Sequence, residues 1–462
     1  MKTTFLPFLL GCTFTLVVGG CTNPDVSPKP QPQNIIFLLT DDQRWDALGA
    51  AGNPYIQTPE MDRLAEEGTL FKHAYVTTPI CAVSRASILS GQYARRHGIH
   101  GFATDFTPIQ WANSYPELLR NAGYFTGFIG KFGVGRNLPD TTFNYWRGIP
   151  GQPQYEHTDE QGTYKHLTRM LAEQSLEFLD QVPNGQNFCL SISFKAPHVQ
   201  DRDPRQFLYD SAYIDMFQEV EMPGPINGTD SVFQTFPDFF TQENEARLRW
   251  EMRFATEELY QHSIKGYYRL IYGVDVTLGA IRKKLEEKGL AENTVIVLMG
   301  DNGFFLGERG LAGKWYAYDE SIHVPLLIYD PELPQARRGQ QLEPIALNID
   351  LAPTFLSWAN LPPPDSMQGK NLRPLLKGEV PKWREDFLFE HLFDHPKIPK
   401  SEGVVSLKEK YFVYPEVEPV HEEYYNLAED ARETQNLISS DSYESKVESQ
   451  RERLEELRHA SK

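Results

Sequence analysis

Asn34-Ile35-Ile36-Phe37-Leu38-Leu39-Thr40-Asp41-Asp42 is a largely apolar run that stops on two adjacent carboxylates. A strand apolar on both sides belongs in a sheet covered on both faces, the usual setting of parallel strands. Similar runs recur along the chain. Residues 124–129 end at Gly130-Lys131, 188–194 at Lys195-Ala196-Pro197-His198, and 294–299 at Gly300-Asp301-Asn302-Gly303; 324–329 is a fifth run. Helical patterns lie between them, clearest at 59–68, 114–122, 166–181 and 267–288. This alternation predicts an α/β fold, a large, mostly parallel sheet sandwiched by helices. Ligands of such sheets sit beyond the carboxyl ends of the strands. The first four runs each bring a charged or titratable group to that end, so one active site is expected there.

A second stretch carries the chemistry. Thr77-Thr78-Pro79-Ile80-Cys81-Ala82-Val83-Ser84-Arg85-Ala86-Ser87-Ile88-Leu89-Ser90-Gly91 has helix-compatible spacing, with the helix start expected over 76–79. Cys81 and Arg85 are four apart and share one helix face. A helix N-terminus with a guanidinium suits an anionic ester. A lone cysteine in such a helix is ordinarily a buried core residue, so the reading rests on its neighbours. Asp41, Asp42, Asp301 and Asn302 offer only oxygen donors. Such a set favours Ca²⁺ or Mg²⁺ over Zn²⁺, and the amide and the ligand count favour Ca²⁺.

These motifs, in this order over 33–436, resemble the type I sulfatases of the alkaline phosphatase-like superfamily. The resemblance implies that Cys81 is oxidised to formylglycine by a formylglycine-generating or anaerobic maturation enzyme. It implies one divalent cation, usually calcium, held by Asp41, Asp42, residue 81, Asp301 and Asn302. Gly130-Lys131-Phe132-Gly133-Val134-Gly135 resembles the segment whose lysine contacts the sulfate, here Lys131. Gly313-Lys314-Trp315 resembles the one supplying a second lysine, Lys314, and His198 would donate a proton to the leaving oxygen. The implied activity is hydrolysis of sulfate monoesters, with sulfated carbohydrates as substrate. Two positions depart from the family: Val83 stands where Pro or Ala is usual, and Gly133 where a histidine is. Two alternatives stay open, a phosphoesterase of the same superfold and a non-catalytic binding lipoprotein.

The formal net charge of −18 over 462 residues leaves no dominant basic surface and excludes nucleic acid as a partner. Lys2 and the apolar run to Val18 read as an export signal over 1–20, ending at Val18-Gly19-Gly20-Cys21. That ending resembles a lipoprotein box, with Cys21 lipidated, Cys12 the weaker competitor, and a Pro-rich linker over 21–33. A membrane-anchored protein of the periplasm or cell surface of a bacterium follows. Cys189 lies in an apolar run, and no disulfide framework is implied. A catalytic domain is expected over 34–374, with an irregular, acidic insertion at 199–261 placed to cap the pocket. A small α+β subdomain is expected over 375–462, with strands at 387–391, 403–407, 410–414 and 422–426 and a helix at 442–458. Its segment 391–403 is placed to line the sugar site.

Overall fold

Strand β1 (Asn34–Asp41) is buried along its whole length and lies inside an eight-stranded mixed sheet. The structure is a computed structural model that describes residues 1–7, 31–159 and 161–462. The other strands of this sheet are β2 (Thr69–Phe71), β3 (Phe125–Lys131), β4 (Tyr145–Ile149), β5 (Phe188–Pro197), β6 (Thr294–Gly300), β7 (Leu326–Tyr329) and β8 (Gln340–Leu342). Their spatial order is β8-β2-β7-β6-β1-β5-β3-β4. The block β6-β1-β5-β3-β4 is parallel throughout. β7 joins it antiparallel to β6 and also runs antiparallel to β2.

The pleat of β1 divides the interior. Ile35, Phe37 and Leu39 enter one hydrophobic core, with Val83, Ile88, Tyr115 and Phe355. Ile36 and Leu38 enter the other, with Met61, Leu171, Phe178 and Ile271. Apolar residues on both sides of the strand are what buried both faces. The covering helices include α1 (Pro59–Glu67), α2 (Cys81–Ser90), α3 (Leu167–Gln181), α4 (Glu245–Arg253) and α5 (Glu257–Glu287). α5 begins ten residues before the expected 267. Its first turns, Glu257-Glu258-Leu259-Tyr260-Gln261-His262, are largely polar and read as part of the insertion. Thr256 caps it by accepting from the Leu259 N–H.

Beyond the large sheet, β9 (Asp386–His391), β10 (Ser401–Ser406), β11 (Glu409–Tyr414) and β12 (His421–Asn426) form an antiparallel meander. Helix α6 (Glu444–Ala460) covers it, with Val447 and Leu454 against Leu388, Val404 and Tyr424. Residues 32–462 form one compact unit. The expected export signal and linker, with Cys12 and Cys21, lie outside the described residues except for 1–7 and 31–33. Among the described residues no helix is long and apolar enough to cross a membrane.

Candidate active site

The sheet sets the first part of the site. Asp41 ends β1, Lys131 ends β3, and Asp301-Asn302 follow β6 directly. Parallel pairing of β1 with β6, up to Thr40 opposite Gly300, puts Asp41-Asp42 beside Asp301-Asn302. The Asp42 N–H donates to Asp301 Oδ1 at 3.2 Å, and Asn302 Nδ2 donates to Asp42 Oδ1 at 2.6 Å.

α2 supplies the second part. It starts at Cys81, later than the expected 76–79, because Ile80 keeps an extended backbone. Ile80 has no polar side chain to cap the free N–H groups of the first turn. The Cys81 thiol donates to Asp41 Oδ1 at 3.3 Å and receives a bond from Lys314 Nζ at 2.9 Å. Lys314 also donates to Asp42 Oδ1. Lys131 Nζ donates to Asp41 Oδ2 at 2.5 Å. Arg85 Nε donates to Asp301 Oδ2 at 2.8 Å, and its Nη1 to Lys131 O at 2.7 Å and to Ser193 Oγ. His198 follows β5, with Nδ1 2.7 Å from Val199 O and Nε2 3.6 Å from Asp42 Oδ2.

All nine residues chosen from the sequence therefore meet in one cluster, none more than 3% exposed. Three carboxylates (Asp41, Asp42, Asp301) face three permanent or near-permanent cations (Arg85, Lys131, Lys314). Burial opposes the Asp41 charge, but Lys131 foremost, then His198, Arg85 and Lys314, holds this carboxyl well below the usual range. Burial and the Asp41 charge push Asp301 up. Burial also works against the Lys314 ammonium, and the Asp42 carboxylate overrides it and pushes Lys314 up. Burial pushes His198 down to about 4, against the pull of Asp42. Burial, then the Asp41 charge, pushes the Cys81 thiol up to about 12. A thiol so protonated is a poor nucleophile, so Cys81 in its encoded form does not suit nucleophilic chemistry.

The donor set fits a divalent cation. Asp42 Oδ2 and Asn302 Oδ1 are buried and lack a hydrogen-bond partner among the described residues. Two such inward oxygens are what a hard cation would satisfy. Ligand atoms of Asp41, Asp42, Cys81 and His198 lie within 4.8 Å of one another. Asp301 and Asn302 adjoin that group through the bonds given above.

Gly133, the departure from the family histidine, has φ +75°. A Cβ there would lie 3.0 Å from Arg85 Cδ, so the Arg85 stem occupies the space a side chain would need. Other neighbours escaped sequence reasoning. Gln152 Nε2 lies 3.3 Å from His198 Nε2. Lys195, quoted in the sequence motif without a role, is buried beneath the site, and that burial pushes it down to about 8. α4, inside the insertion, packs along the Lys314 segment, with Arg249 over the Trp315 ring at 4.9 Å. A separate cleft of about 350 Å³ lies between insertion residues Phe239 and Asn244 and C-terminal residues Asp394 and Lys400.

Known proteins resemble the chain over most of its length. A family model described as Sulfatase matches residues 33–361, and one described as N-sulphoglucosamine sulphohydrolase, C-terminal, matches 307–460. An N-acetylglucosamine-6-O-sulfatase of Bacteroides thetaiotaomicron is 28% identical, covering 96% of this chain and 88% of its own. An arylsulfatase of Clostridium perfringens is also 28% identical, covering 90% and 92%. A solved structure in complex with its substrate, D-glucosamine-2-N,6-O-disulfate, superposes with a TM-score of 0.78. It is 26% identical and covers 92% of this chain and 97% of its own. With its buried cluster of acids, cations and Cys81 inside the stretch that the first model matches, this chain belongs to the sulfatase family, enzymes that hydrolyse sulfate esters.

Proposed function

We propose that the protein hydrolyses sulfate monoesters on sulfated carbohydrates, with the 6-O-sulfate of an N-acetylglucosamine-type sugar as its substrate. One observation carries the reading: Lys131 and Lys314 meet the Asp41-Asp42 pair beside residue 81, with Arg85 behind them. The sugar is supported by the named activity of the Bacteroides relative and by the glucosamine disulfate in the superposed structure.

Cys81, converted to formylglycine by a maturation enzyme, would supply a hydrated aldehyde as nucleophile. A cation held by Asp41, Asp42, residue 81, Asp301 and Asn302, Ca²⁺ by the hardness of its donors, would supply positive charge against the sulfate oxygens. Arg85, Lys131 and Lys314 add fixed positive charge where a sulfate ester carries its negative charge, a preorganised electrostatic contribution. Asp41, kept ionised by Lys131, orients the side chain of residue 81. His198 Nε2 delivers a proton to the leaving sugar oxygen, with Lys314 beside it. The arriving sulfate charge favours protonation of His198 and offsets the effect of burial. In the same reading, residues 34–374 form the catalytic domain and 375–462 a supporting subdomain. A lipid on Cys21 would tether the exported protein to a bacterial membrane through its linker.

Mass spectrometry of the Cys81 peptide from the native host, with sulfate release measured on Cys81→Ala, tests the proposal. Formylglycine at position 81 and complete loss of turnover in a folded variant are expected. Unmodified cysteine in active protein, or sulfate release by the variant, would overturn it.

A further inference from the structure

Gln152 and Lys195 have no part in the mechanism above, yet they bracket its histidine. Gln152 is exposed on the loop after β4, and its amide nitrogen lies 3.3 Å from His198 Nε2. His198 Nδ1 sits 2.7 Å from Val199 O, so Nδ1 carries the hydrogen of the neutral ring and Nε2 is its acceptor. The Gln152 amide therefore meets the histidine at the same atom that must face the leaving oxygen.

The Gln152 loop is fastened from beneath. Lys195 Nζ donates to Pro153 O and to Gln200 Oε1, both at 2.6 Å, and lies 4.4 Å from the Tyr155 ring centroid. The Tyr155 N–H donates to the same Gln200 oxygen at 3.2 Å, and its hydroxyl donates to His198 O at 2.6 Å. One buried ammonium thus ties the segment carrying Gln152 to the segment carrying His198. Among the described residues no ion pair joins Lys195 to a carboxylate. Burial disfavours its ammonium, and the Asp41 and Asp201 carboxylates offset that only in part, at longer range. Its position is explained by the alignment it enforces between the two segments.

We infer that Gln152 reads the sugar's 4-hydroxyl, the ring hydroxyl nearest a 6-O-sulfate, and that Lys195 is its positioning residue. A carboxamide both donates and accepts, which suits a hydroxyl. C5 of a 6-O-sulfated pyranose carries no hydroxyl, so with the leaving oxygen docked at His198 Nε2 the 4-hydroxyl is the one that amide can meet. The inference rests on the reading of the protein as a carbohydrate sulfatase with His198 as the acid.

Three probes test it: 6-O-sulfated N-acetylglucosamine, its 4-deoxy counterpart, and nitrophenyl sulfate as a substrate without a sugar. Gln152→Ala should lower kcat/KM on the first probe roughly 3- to 10-fold, the ordinary worth of one neutral hydrogen bond, chiefly through KM. On the 4-deoxy sugar that factor should shrink towards one. Lys195→Met should show the same selectivity, and the double variant should lose little more than either alone. Equal factors on both sugars would overturn the inference and leave the carbohydrate reading standing. A wild type that cleaves nitrophenyl sulfate but neither sugar would overturn both. Gln152 is exposed, so its variant should fold even if Lys195→Met does not.

Discussion

Lys131 and Lys314 reach the same pair of aspartates from two differently built regions. Lys131 is the last residue of β3, in register with Ile149 on β4, and the sheet fixes its backbone. Lys314 sits in an irregular segment whose next residue, Trp315, has φ +90°. Outside neighbours hold that segment residue by residue. Asn244 and Tyr316 exchange hydrogen bonds at 2.8 and 2.9 Å. Lys410 Nζ donates to Ala317 O at 2.9 Å and to Asp319 Oδ1 at 2.7 Å. Tyr318 donates to Glu423 at 2.8 Å, and the Asp319 N–H to Glu433 at 3.0 Å. A catalytic group on a strand end takes its position from the sheet, whereas one on a loop needs scaffolding from elsewhere. Here the scaffold is α4 and the C-terminal meander.

The comparison can be broken at three points. The largest effect is expected on the sheet side. Arg85→Ala strands the buried Asp301 carboxylate, and losing one partner of a buried pair costs about 3–5 kcal/mol. Denaturant unfolding should register that loss, with sulfate release abolished. A stability change below about 1 kcal/mol would mean that the pair does not hold this side together.

The second effect crosses from the C-terminal meander to the site. Lys410→Met should lower kcat/KM roughly tenfold, equivalent to about 1.4 kcal/mol, by loosening the Lys314 segment. In a double-mutant cycle it should couple to Lys314→Ala and add independently to Lys131→Ala. Equal coupling to both lysines would erase the distinction between the two regions.

The smallest effect belongs to Tyr318→Phe, which removes one hydroxyl and keeps the ring. Stability should fall by about 1 kcal/mol, with a smaller loss of turnover than in Lys410→Met. A larger loss of turnover than in Lys410→Met would make Glu423, rather than Lys410, the main support of the segment.

Much of this architecture was legible in the sequence, for a physical reason. A strand buried on both faces must be apolar throughout, so a carboxylate or lysine at its end stands out, as at Asp41, Lys131 and Asp301. The short strands β2 and β8 carry too few residues to show a period. The start of α5 was hidden because its first turns carry mostly polar residues, with Tyr260 and Ile264 too sparse to show a helical period. β7 was readable as a strand, but its direction depends on a pairing that its own residues do not encode. Gln152 gave no signal, because an exposed glutamine in a loop has none until His198 is beside it. Lys410 was equally silent: it stands in a short strand of the meander, and its partners at 317, 319 and 433 are distant in the chain.

Cys81 is 1% exposed at the start of α2, between Asp41 and Lys314. In the folded protein no other macromolecule can reach that sulfur without prying the cluster apart. Any chemical conversion of this residue therefore has a deadline. A maturation enzyme that converts it, as proposed, would have to act before β1, β6 and the Lys314 segment close over the segment 77–91. The fold that shelters the reactive group would also fix the order of events in the life of the chain, with modification first and closure second.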